Sequence, residues 1–115
     1  MRVVNQNSRI KLEELSKMAE DMFGDLVKAV VDVARGTMVV DAELHADEEE
    51  LLIARGSDQT DLWGVNLYPG LEGDDFVEFD SMINLRPSRG NRSRGVADPA
   101  IREHIRRIVD NLVLR

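Results

Sequence analysis

Four arginines, two glycines, two serines and an asparagine crowd into RPSRGNRSRG, residues 86–95, and these residue types suit the capture of negative charge. The forked guanidinium groups of Arg86, Arg89, Arg92 and Arg94 match the oxygen geometry of phosphate and carboxylate. Gly90 and Gly95 can adopt positive φ, which lets successive backbone N–H groups converge on an anion. Ser88, Asn91 and Ser93 are short polar side chains able to complete such a cradle. The same arginines have another use: they can pair with the chain's own acids, within one subunit or across an oligomer interface, and so fix the loop. Both uses stay open on the sequence.

Charge is segregated along the chain. Residues 86–115 carry 8 of the 15 basic side chains and 3 of the 22 acidic ones, net +5, in a protein of net charge −7. The preceding 85 residues are correspondingly acidic. This balance argues against coating nucleic acid with the whole surface. Trp63 and Tyr68 lie outside the arginine loop, so aromatic and basic residues do not alternate as base-stacking platforms require, and nucleic acid is not an expected partner. A phosphate-containing or acidic ligand is expected, as is a homo-oligomer.

A second constellation follows from strand alternation. With Trp63, Val65 and Leu67 pointing inward, Asn66 and Tyr68 point outward; with Val77, Phe79 and Ile83 inward, Glu78, Asp80 and Asn84 point away. Two carboxylates, two amides and a phenol on one sheet face could bind a small ligand or a hard cation through oxygen. The alternative is the solvated face of an antiparallel sheet. Third, His45 and Asp47, with Glu49 and Glu50 following, could supply metal ligands or a base with an orienting carboxylate. The set is incomplete for a metal, and Asp47 has a competing role as a helix cap, so no metal site is expected. His104 flanks the apolar stripe of the last helix and is expected to be partly buried.

These groups leave three functions open. The first is a binding module whose loop meets an anion or an acidic surface. Another is a hydrolase-like enzyme on a phosphorylated substrate, with His45, Glu78 or Asp80 as acid, base or metal ligand and the arginines clamping phosphate. The last is a structural homo-oligomer subunit. The serines lack a nucleophile-elbow setting and no phosphate-loop or dinucleotide glycine pattern occurs, so no cofactor is expected and enzymatic activity stays undecided.

The elements that must position these groups can be read from periodicity. Leu12, Leu15, Ala19 and Met22 form one stripe of a helix over 11–23, which Gly24 closes, with Ile10 and Leu15 as a hydrophobic staple. From Val27 the period becomes two. A hairpin about Arg35-Gly36 sets Val33 opposite Met38, Val31 opposite Val40, Ala29 opposite Ala42, Val27 opposite Leu44 and Lys28 against Glu43. Asp47 and the acids after it open a short helix over 47–55, stopped by Gly56. Strands over 62–68 and 76–85 are joined by PGLEGDD, with Trp63, Val65, Leu67, Val77, Phe79, Ile83 and Leu85 inward. Asp98-Pro99 begins a final helix that buries Ile101, Ile105, Ile108 and Leu112. The order is α-β-β-α-β-β-α, an α+β fold with a four-stranded antiparallel sheet and helices on one face.

At 115 residues the chain fits one domain, 1–115, with a modest core. Zero cysteines exclude disulfides and thiolate chemistry and fit a reducing, cytoplasmic location. There is no secretory signal and no run of about 20 apolar residues, so no membrane association is expected.

The strings HADEEELL (45–52), DLWGVNLYPG (61–70) and EFDSMINLRPSRGNRSRGVADPAIREHI (78–105) resemble a family of small uncharacterised bacterial and archaeal proteins, a domain of unknown function. The resemblance spans nearly the whole chain. It implies no reaction, ligand or functional residue.

Overall fold

Apolar side chains at both odd and even positions of the valine-rich segment require cover on both faces of its strand, and this requirement organises the fold. In the computed structural model, which describes residues 1–115, β3 (Val27–Asp32) is the middle strand of a five-stranded antiparallel sheet. The order is β1 (Arg2–Val4), β4 (Thr37–Val40), β3, β5 (Leu62–Leu67) and β6 (Val77–Glu78). A separate two-stranded parallel pair joins β2 (Ile10–Lys11) to β7 (Val113–Leu114) and ties the two ends of the chain together.

The odd-numbered side chains of β3 and β5 (Val27, Ala29, Val31, Trp63, Val65 and Leu67) form the main core with two helices. Leu15 and Ala19 come from α1 (Leu12–Asp21); Ile105, Ile108, Val109 and Leu112 come from α3 (Pro99–Leu112). Ile10 and Leu15 are both buried in this core. Gly24, at φ +97°, donates its N–H to the Ala19 carbonyl at 2.6 Å and closes α1 as the sequence predicts. Asp98 accepts from the Ala100 N–H at 2.8 Å, with Pro99 in the first turn of α3.

The opposite face is covered as well. Val30, Val39 and Leu62 pack with Leu52 of α2 (His45–Ala54) in a second, smaller core. The sheet therefore has five strands rather than four, and α2 lies across it from α1 and α3 rather than beside them. The element order also begins and ends with short strands absent from the predicted α-β-β-α-β-β-α.

Three further corrections have local causes. The hairpin register is Ala29↔Val40 and Val31↔Met38, two residues away from the predicted pairing. The Asp32 Oδ1 accepts from both the Ala34 and Arg35 N–H groups at 2.9 Å, and the Gly36 N–H reaches the Asp32 carbonyl, so the turn takes four residues instead of two. A shift of two keeps the same side chains inward. Across the hairpin the shift sets Lys28 beside Asp41, whose N–H donates to the Lys28 carbonyl at 3.3 Å, rather than against Glu43; on its other side Lys28 pairs with Asn66 of β5.

At the far end, Asp41 sits at φ +74° and turns the chain out of β4, so Ala42 and Leu44 never join the hairpin. A non-glycine residue in that region carries a steric cost. Asp41→Gly is expected to stabilise the protein by about 0.5–1 kcal/mol in chemical denaturation; a loss of stability would contradict this account of the turn. Finally, α2 begins two residues earlier than predicted, with Leu44 at its N-cap position, so Asp47 lies in the first turn and caps nothing.

Candidate functional site

The predicted strand over 76–85 is only two residues long. Beyond Glu78 the chain leaves the sheet, and a side chain replaces the backbone as the partner of β5. The Asn84 amide accepts from the Gly64 N–H and donates to the Gly64 carbonyl, both at 2.9 Å, reproducing a ladder pair. Gly64 makes this possible: a Cβ there would lie 2.5 Å from Ser81 Cβ and Oγ. The Ser81 N–H and the Asn84 Nδ2 both donate to the Arg94 carbonyl, at 2.9 Å each, which anchors the far end of the arginine loop.

Asn91 fixes the loop from within. Its buried Nδ2 donates to the carbonyls of Asn84 (2.6 Å), Gly95 (2.8 Å) and Ser93 (3.2 Å), while its Oδ1 accepts from the Ala97 N–H at 2.8 Å. Backbone bonds between Arg86 and Asn91 close the bend in both directions. Gly90 takes φ +84° and uses its conformational freedom; Gly95 is not in the positive-φ region. Asn91 thus shapes the loop, and the Ser93 Oγ accepts from the Gly95 N–H at 3.1 Å.

The four arginines are not gathered into one cluster. Arg86 lies over the Trp63 ring, its guanidinium carbon 4.4 Å from the centroid, and donates to the carbonyls of Leu62 and Thr60. Burial lowers its pKa, with the nearby Arg89 charge acting in the same direction. Arg94 pairs with Asp80 at 2.6 Å, with both side chains about half exposed. Arg89 and Arg92 are exposed and have no carboxylate within 4.0 Å.

Arg89 and Arg86 together border a cleft of about 230 Å³, whose other walls include Thr60, Gly90, Asn91 and the start of α3 at Ala97 and Asp98. Both arginines also border a second depression of about 310 Å³ with Ile83, Leu85 and Pro87. The exposed Ser88 lines this second depression. Two forked cations beside a backbone bend fixed by Asn91 can receive a compact anionic group. No pattern in the sequence marks Thr60, Ala97 and Asp98 as cleft residues; Asp98-Pro99, directly after the loop, is the available signal that a helix start adjoins it.

The second constellation is drawn together in part. Asn66 Nδ2 and the Tyr68 hydroxyl both donate to Glu78 Oε1, at 2.8 and 3.0 Å, and Asn66 Nδ2 also reaches the Asp80 carbonyl at 3.3 Å. Lys28, Asn66 and Glu78 form one row across three strands. Asn84 is one pair removed and committed to Gly64. Asn66 is buried rather than solvated, at 6% exposure, with no donor on its Oδ1.

His45, the first residue of α2, is also buried. Its Nε2 lies 2.7 Å from the Val65 carbonyl, an acceptor only, so Nε2 carries the hydrogen. Burial holds the imidazole pKa below its ordinary value, and the Asp80 and Arg94 charges act on it in opposite directions. No three His, Asp or Glu side chains are grouped so as to hold a metal ion. His104 is exposed, with Nε2 2.8 Å from the Val33 carbonyl.

Sequence reasoning missed Glu48. It is fully buried on the sheet-facing side of α2, accepts from the Ala42 N–H at 3.2 Å through Oε2, and has no partner on Oε1. Burial pushes its pKa up to about 9 against the opposing effects of that hydrogen bond and of Lys28. At neutral pH it is a neutral acid within the second core.

The sequence model of a family described as "Protein of unknown function (DUF5674)" matches residues 3–112. The chain belongs to this family. The matched span runs from β1 to the last residue of α3, so the DUF5674 region includes both helical layers, the arginine loop and the adjoining cleft. No curated protein and no solved structure matches the chain. No helix is long and apolar enough to cross a membrane.

Proposed function

We propose that this protein is a binding module whose 86–98 segment receives a compact anionic group, phosphate or carboxylate, between Arg86 and Arg89. One observation carries this reading: Arg89 has no carboxylate partner and borders the same cleft as Arg86, although the chain has a large surplus of acids. The Arg89 charge acts unfavourably on Arg86, and an incoming oxyanion offsets that repulsion while gaining charge-assisted hydrogen bonds. The bend held by Asn91 is ordered before the ligand arrives, which reduces the entropy lost on binding.

Isothermal titration with inorganic phosphate and with succinate tests it. Saturable binding of either anion is expected, weakened on the order of tenfold by Arg89→Ala and unchanged by Arg107→Ala, an exposed arginine elsewhere on α3. Equal affinities for the wild type and Arg89→Ala would discard the proposal.

A further inference from the structure

Within the arginine loop only Arg94 is paired, with Asp80; the acids of α2 lie on the same side of the molecule as the loop without pairing to it. α2 packs against the turn at Met82–Asn84, which leads directly into Arg86. Glu49 is the carboxylate whose charge acts most strongly on Arg86, yet no acid of α2 comes within 4.0 Å of any loop guanidinium. Asp47 and Glu50 are exposed one turn apart on α2. This side of the protein therefore carries Asp47 and Glu50 at one end and Arg89 at the other, none of them in an ion pair.

Large apolar side chains are exposed on the same elements. Ile53 is 44% exposed on α2, Met82 is 62% exposed on the adjoining turn, and Leu85 is 38% exposed at the border of the depression next to Arg86 and Arg89. Surface ion pairs alone contribute little to association, so an interface also needs an apolar centre to exclude water. Acids at one end, arginines at the other and apolar residues on the elements that join them make a patch complementary to itself under a two-fold rotation. A two-fold contact uses the same patch on both partners, which is the commonest form of oligomer.

We infer that the carboxylates received by Arg89 belong to a second copy of this chain. Two protomers pair through α2 and the 82–89 segment, with Glu50 of each facing Arg89 of the other and Met82, Leu85 and Ile53 between them. This inference rests on the loop's role as an acceptor of negative charge and adds the identity of what it accepts.

Sedimentation equilibrium over a range of protein and salt concentrations provides the test. The wild type is expected to dimerise, with an apparent dissociation constant that rises at least tenfold between 50 mM and 1 M salt. Arg89→Glu alone and Glu50→Arg alone are each expected to be monomeric, because each homodimer would oppose like charges twice. An equimolar mixture of these two variants is expected to dimerise again. In the mixed dimer one contact keeps the native pair, Glu50 against Arg89, and the other has the same two charges exchanged, so both contacts are attractive.

A monomeric wild type at all concentrations overturns the inference, as does a mixture that stays monomeric while the wild type dimerises. Phosphate titration of the same wild-type sample separates the two claims. A monomer that still binds phosphate through Arg89 leaves the anion site standing and removes only the partner, whereas loss of both removes the site as well.

Discussion

Gly64→Ala is expected to cost about 3 kcal/mol or more of folding stability and to loosen the arginine loop with it. The new methyl group would lie 2.5 Å from both Cβ and Oγ of Ser81 and 3.1 Å from Ile83 Cγ1. Neither side can withdraw cheaply. Ser81 is buried, its N–H is bonded to the Arg94 carbonyl, and both backbone groups of Gly64 are bonded to Asn84. Since Ser81 and Asn84 also anchor the loop at Arg94, the strain passes directly to the loop. Guanidinium denaturation together with amide exchange at Asn84 and Arg94 would measure this. Wild-type stability and wild-type protection in Gly64→Ala would show that the close approach at Gly64 does not organise the loop.

Glu48→Gln is expected to stabilise the protein at alkaline pH and to have little effect in acid. Burial raises the native pKa of Glu48 from 4.5 to about 9. Below about 4.5 both folded and unfolded chains hold the proton, and Glu48 adds no pH dependence. Between 4.5 and 9 the unfolded chain releases the proton while the native chain retains it, so stability falls as pH rises; above about 9 the effect levels off. Within that window the fall is at most about 1.4 kcal/mol for each pH unit. Local relaxation and the amide's own unsatisfied polar group reduce the gain, leaving an expected advantage for Glu48→Gln of roughly 2–3 kcal/mol at pH 8. The difference between the two proteins' stabilities, measured from pH 4.5 to 9, isolates this group from all other carboxylates. A flat difference would mean that Glu48 titrates normally and that the second core is open to water.

The fold was legible in the sequence where its elements follow a regular period. Leu12 to Ala19 and Ile101 to Leu112 mark two helices, although Met22, read into the first stripe, lies just beyond α1 and is exposed; the alternation around Val31 and Val40 identifies the inward faces of the hairpin even though its register moved. The cover on the second face had a visible signal as well. Val30, Val39 and Leu62 are apolar at positions that alternate with the inward side chains, which is what a strand buried on both faces looks like.

Other features were hidden for physical reasons. A side-chain amide that takes the place of a strand leaves no periodic pattern, so Asn84 and the two-residue β6 could not be read from alternation. Glu48 stands among Asp47, Glu49 and Glu50, where sequence alone assigns every acid to solvent. Within the loop the concentration of arginines was plain, but their division was not. Trp63 takes up Arg86, Asp80 takes up Arg94, and Arg89 is left facing the cleft.

The most direct test is a two-dimensional amide NMR titration with inorganic phosphate. Saturable shifts confined to Thr60, Arg89, Gly90 and Ala97 are predicted, and Arg89→Ala should raise the phosphate concentration needed for the remaining shifts on the order of tenfold. Shifts spread over the arginines of α3, or local shifts that saturate at the same phosphate concentration in Arg89→Ala, would contradict an anion site between Arg86 and Arg89.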